Sequence, residues 1–93
     1  MVENKIDTLF GMLEKNINAD NKEAIVDSCS RLLGYSHRLD EKTQASLFLT
    51  RGITLLKLQH YTLALLNVKR AIAIKNDANS QQALEFIKLK LME

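Results

Sequence analysis

The side chains in this sequence with the makings of a reactive site are few and scattered. Cys29 is the one thiol and His37 and His60 are the two imidazoles, and none of them neighbours another in the chain. Nucleophilic catalysis needs a thiol or hydroxyl beside a base, and a structural zinc site needs four Cys or His ligands at short paired spacings. Cys29 instead falls between Ile25 and Leu32 on an apolar helix side, the setting of a small core residue. Both histidines fall in or next to loops, and the three glycines, Gly11, Gly34 and Gly52, compose no phosphate-cradling loop. The expectation is a chain that is not an enzyme, with no catalytic residues, no metal site and no cofactor.

Charge carries more information. Residues 1–41 hold five basic and eight acidic side chains, and residues 76–93 hold two and three. Residues 42–75 hold six basic ones (Lys42, Arg51, Lys57, Lys69, Arg70, Lys75) and no acidic one, within an overall +2. A basic middle segment favours a partner with an acidic surface and steers the encounter with it. A nucleic acid is the alternative partner. It has less support, since the charges are spread around two helices, aromatics for base stacking are few and no nucleic-acid motif occurs. Solvated charge, or pairing with the acidic first segment, is the bland alternative to both.

The elements that must position these groups are helices. The chain has 93 residues, enough for one domain; 46% are hydrophobic and 26% charged, and it has no proline. A β-rich fold needs more turn residues than three glycines provide, so the expectation is all-α. No apolar run approaches the ~18 residues of a membrane span, and the Met1–Glu3 terminus lacks the basic-then-apolar pattern of a secretory leader. One cysteine forms no internal disulfide, which fits a reducing compartment, the cytoplasm or alternatively the nucleus.

The spacing predicts five helices. Ile6, Leu9, Phe10, Leu13 and Ile17 make the apolar stripe of a helix over residues 3–17. Asp20 and Glu23 read as a capping box that opens a second helix with Ile25, Cys29, Leu32 and Leu33 inside, and Gly34 as its left-handed C-cap. A third helix, residues 42–58, is apolar around much of its circumference and therefore central. After a turn at Gln59 and His60, a fourth helix runs over residues 61–75, and after a loop at residues 76–79 a fifth runs over residues 80–92. A weak internal repeat of about 40 residues pairs Gly11 with Gly52, Ala24 with Ala64 and Leu32 with Ile72.

With Ala45 taken as a first position, Phe48 falls fourth, Gly52 eighth, Tyr61 seventeenth, Ala64 twentieth and Ala71 twenty-seventh. On these residues the stretch 45–78 resembles a tetratricopeptide repeat, a 34-residue pair of antiparallel helices. Small residues at the crossing allow the close end of the ~8–10 Å range of helix separations. Asn76 stands where that family has a loop proline, and Arg51 where it has an apolar seventh residue. The resemblance implies tetratricopeptide-like antiparallel hairpins in a single domain spanning 1–93: a degenerate hairpin at 3–34, a good one at 42–75, and a capping helix at 80–92. A generic five-helix bundle is the alternative.

The resemblance further implies an adaptor or an assembly or chaperone subunit that binds another protein. Its concave lining would be Ser46, Leu49, Ile53, Leu56 and Lys57. Leu49 and Ile53 stand where some members hold a carboxylate-clamping Lys or Asn, so an apolar helix or peptide side chain is the expected guest. Packing of Leu49, Ile53 and Leu56 on the chain's own second or fifth helix is an equal alternative. A second candidate is the outer side of the fourth helix, with Leu63, Leu66 and Arg70; there, scattered surface leucine is the alternative. Two hairpins and a cap are few for a solenoid, so a partner or a second copy of the chain would complete the core. The chain is also readable as one module of a longer protein.

Overall fold

The computed structural model describes residues 2–93, with side chains from Asn4 onward; Met1, and with it the character of the Met1–Glu3 terminus, lies outside the described residues. Five α-helices account for it: α1 (Val2–Asn18), α2 (Lys22–Leu33), α3 (Glu41–Lys57), α4 (Tyr61–Ile74) and α5 (Ala78–Leu91), with a 3-10 turn at Ser36–Arg38 between α2 and α3. The protein is all-α, 83% helical, with no strand among the described residues. None of the helices is long and apolar enough to cross a membrane.

Successive helices pack as antiparallel neighbours, most extensively α3 on α4, and α5 also reaches α3. The result is an elongated stack of 46 × 26 × 18 Å. Its interior falls into two clusters. One joins Leu13 of α1, Ile25, Cys29 and Leu32 of α2, and Leu47 of α3. The other joins Leu55 of α3, Ala64 and Val68 of α4, and Ile87 of α5. α3 feeds both clusters, which is why its apolar residues run around much of its circumference.

The α3–α4 crossing is tight for the expected reason. A Cβ on Gly52 would lie 2.8 Å from Val68 Cγ2, 3.2 Å from Asn67 Cβ and 3.3 Å from the Ala64 carbonyl oxygen. Ala64 and Ala71 of α4 are both fully buried.

The first hairpin turns differently from expectation. Asp20 adopts a left-handed φ of 53° and belongs to the end of α1, while Asn21 takes the N-cap of α2, its side chain accepting from the Ala24 N–H. The Asp20–Glu23 capping box is therefore not formed. The Asp20 N–H reaches the Ile17 carbonyl and the Asn21 N–H reaches that of Asn16, both at 3.0 Å. Gln59, with φ 66°, and His60 repeat the same pattern at the end of α3, reaching the Leu56 and Leu55 carbonyls at 2.9 Å. These paired bonds make both turns Schellman motifs.

Equivalence of the two turns sets the hairpins 39 residues apart, Asp20 matching Gln59. The pairing of Gly11 with Gly52 is thus corrected. Gly11 is exposed, with nothing within 4 Å of its would-be Cβ, and the residue matching Gly52 is the buried Leu13. By the same register Ile25 matches Ala64 and Leu32 matches Ala71, so the first hairpin carries bulk where the second carries small residues.

Gly34 ends α2, but in the right-handed region, at φ −62°. Its N–H shares the Ser30 and Arg31 carbonyls, and the Tyr35 N–H takes that of Leu32, so the chain tightens into the 3-10 turn without a left-handed residue. Ile17, expected inside the stripe, is 48% exposed and borders an open depression with Phe10 and Leu13.

Asp40 and Asp77 cap α3 and α5, accepting from the N–H groups of Thr43 at 2.8 Å and Ser80 at 2.9 Å. The Asp77 cap starts α5 at Ala78, two residues earlier than the spacing suggested. The Thr43 and Ser80 hydrogen bonds hold the Asp40 and Asp77 carboxyls below the usual aspartate value. A carboxyl whose pKa is lower in the folded state stabilises the fold above its unfolded pKa, about 3.9. That contribution is lost as pH falls through the folded value. The unfolding midpoint of the chain should therefore drop as the pH falls below about 4. The drop should be shallower in an Asp40→Asn, Asp77→Asn double variant, as followed by circular dichroism; an unchanged acid profile in that variant would exclude the caps as its source.

Candidate protein-docking faces

The five residues of the first candidate do not share one groove. Ser46 and Leu49 border a small depression of about 50 Å³ with Lys42, Lys75, Asp77 and Ser80, where the starts of α3 and α5 meet. Ile53, Leu56 and Lys57 line a larger groove of about 500 Å³ with Tyr61, Ala83, Phe86 and Lys90. Leu49 and Leu56 are half-buried and pack against the second core cluster, together with Ala83 and Leu84 of α5. Their apolar surface is thus partly spent within the chain, and Ile53, Lys57 and Phe86 are the more available walls.

On the outer side, Leu63 is 52% and Leu66 60% exposed. Steps of three, one and three put Leu63, Leu66, Asn67 and Arg70 on one side of α4. Leu63 also borders a shallow depression of about 370 Å³ with Leu91 at the end of α5, beside the α3–α4 turn. Phe86, Leu89 and Met92 are further exposed apolar side chains of the C-terminal region.

Arg51 gains a physical explanation. It is half-buried, its Nε donating to Asn67 Oδ1 at 2.6 Å and its Nη1 to Ser30 Oγ at 3.1 Å. Asn67 is in turn anchored by donating to the Leu63 carbonyl at 2.8 Å. Arg51 therefore ties α3 to both α2 and α4 with neutral acceptors. Its guanidinium also lies 5.3 Å from the Phe48 ring centroid, and that of Arg70 lies 5.8 Å from the same ring. Burial lowers the Arg51 pKa from its ordinary value.

Phe48 and Arg51 were not expected at a surface site. Their separation of three residues on a helix was a signal that they share a side. That Arg70 joins them depends on the register of α4 against α3, which spacing alone does not set.

Cys29 sits fully buried in the first cluster, and burial pushes its thiol up to about 11 against the opposing pull of the Arg51 cation. It is a protonated core side chain at neutral pH rather than a thiolate. His37 and His60 are exposed and lie on separate turns, and no group of three potential metal ligands occurs among the described residues. A cleft of about 810 Å³ opens between α1 and the end of α2, lined by Asn4, Lys5, Thr8, Leu9, Arg31, Gly34 and Tyr35. No sequence feature announced it, because its walls come from opposite ends of the first hairpin. Comparison with protein-family models, curated proteins and solved structures returns no significant match for this chain.

Proposed function

We propose that this chain is a non-catalytic docking module, an adaptor or an assembly or chaperone subunit that binds another protein through tetratricopeptide-like helices. The observation that carries it is the outer side of α4, where two well-exposed leucines share a side with the exposed Arg70. Isolated exposed leucines are ordinary, but a clustered pair beside unneutralised positive charge is what an acidic, partly apolar partner surface would cover. The groove between α3 and α5, with Lys57 and Lys90 at its apolar walls, offers a second docking face of the same character. A second copy of the chain is one possible occupant of either face. The role needs no cofactor, and the buried unpaired Cys29 fits the cytoplasm or the nucleus.

Cross-linking mass spectrometry in native extract tests this role. A Leu63→Ser, Leu66→Ser variant should lose its cross-linked partner while its unfolding free energy stays within about 0.5 kcal/mol of the parent, as expected for surface positions. Retention of every partner by that variant and by an Ile53→Ser, Phe86→Ser variant would count against docking at both faces.

The alternative, a nucleic-acid accessory role, draws on the six basic residues of 42–75. They are dispersed: Lys42 and Lys75 border the small depression, Lys57 the groove, Arg51 and Arg70 the Phe48 ring, and Lys69 is exposed elsewhere on α4. Binding to RNA or DNA that weakens steeply with salt would favour this role.

A further inference from the structure

Two guanidinium groups gathered at one aromatic ring are an unusual concentration of like charge. Arg51 and Arg70 both stand within 6 Å of the Phe48 centroid, at 5.3 and 5.8 Å. The electron-rich ring face attracts each cation, but the two cations repel one another. A negative group drawn to both would relieve that repulsion.

Among the described residues, no acidic side chain pairs with Arg51 or Arg70. Residues 42–75 contain no acid, and Asp27, one turn from Ser30 on α2, is already engaged by Arg31 at 2.9 Å. Arg51 donates to Asn67 and Ser30 through Nε and Nη1. A guanidinium carries five N–H donors, so these two bonds leave the Nη2 group unused. No buried side-chain nitrogen or oxygen lacks a partner among the described residues, so Nη2 opens to solvent. Arg70 is itself exposed, and Leu63 and Leu66 lie on the same side of α4.

We propose that Arg51 and Arg70, held at the Phe48 ring, receive an aspartate or glutamate carboxylate from a protein whose apolar side chains cover Leu63 and Leu66. The assignment rests on the docking role above and names its site and the chemistry recognised. Guanidinium groups suit a carboxylate because their planar N–H pairs match its two oxygens. A nucleic-acid phosphate would share that chemistry, but a phosphodiester strand leaves two exposed leucines uncovered. Lys42, Lys57 and Lys75 also lie at other depressions rather than along one track.

Selection of a random displayed peptide library against the intact chain tests the assignment. The enriched peptides should combine Asp or Glu with Leu, Ile or Phe. Affinity of the best of them should fall roughly tenfold in Arg70→Gln, the loss typical of one charge-assisted hydrogen-bonding partner. Arg51→Gln should act similarly, and Lys15→Gln, an exposed charge on α1 away from both faces, should leave affinity unchanged. Arg70 is exposed, so its variant decides the matter if Arg51→Gln unfolds.

Acidic peptides that ignore Arg70→Gln but are lost with Phe86→Ser would overturn the assignment and leave protein docking standing, at the α3–α5 groove. Enrichment without acidic residues would overturn it as well. Failure to enrich any peptide would defeat both the assignment and the docking role, and binding of an oligouridine probe that is lost in Arg70→Gln would then assign the arginines to nucleic acid.

Discussion

Gly52→Leu should all but abolish folding, and the milder Gly52→Ala should cost up to about 2 kcal/mol. The first carbon added at this position meets Val68 Cγ2 at 2.8 Å and the Ala64 backbone at 3.3 Å. A methyl group can be accommodated only if α4 shifts away from α3, and overpacking a close helix contact costs typically about 1–3 kcal/mol. Alanine recovers up to about 1 kcal/mol of intrinsic helix propensity over glycine, which leaves the net cost above. A leucine adds three further carbons along the same line, in a domain whose whole stability is of the order of 5–15 kcal/mol.

Gly11 provides the control. Its would-be Cβ meets nothing within 4 Å, so Gly11→Ala should stabilise the chain by about 0.5–1 kcal/mol. The two alanine substitutions thus have opposite signs, and urea unfolding midpoints read them directly. Equal effects at the two glycines would mean that α3 and α4 do not approach as closely as described.

Ile87→Ala should cost about 2–5 kcal/mol, the range for truncating a fully buried isoleucine. Ile87 is the one large apolar side chain that α5 buries completely, and it enters the cluster of Leu55, Ala64 and Val68. The loss removes contacts to α3 and α4 together and leaves a cavity where the three helices meet. Its neighbour Phe86 is 51% exposed, and Phe86→Ser should change stability by no more than about 0.5 kcal/mol. A comparable small loss from both would show that α5 is loosely attached and not part of the cooperative fold.

Much of the fold could be read from spacing. The five helices, the central place of α3, the buried setting of Cys29 and the close approach at Gly52 all follow from periodicity and residue size, which act locally along a helix. Turn chemistry was less legible. Asp20 and Asn21 are both good helix cappers, and only the closing of the Schellman bonds decides that Asp20 ends α1 and Asn21 begins α2. Residue identity also misled the repeat alignment, since matching glycine to glycine ignored that the equivalent crossing position of the first hairpin is filled by Leu13.

The docking faces divide along the same line. The sequence was enough to establish an all-helical chain, a surplus of apolar side chains on α4 with Leu63 and Leu66 outside its inner stripe, and a basic segment without an acid. Those properties depend on residue type and on the helical repeat, both local. The tertiary structure decided that α5 divides the concave candidates between two depressions, and that Arg51 and Arg70 meet at Phe48. Both depend on how one helix registers against another. That register is set by the fit of Gly52, Ala64, Val68 and Ile87 at the crossings, where contacts join residues far apart in the chain.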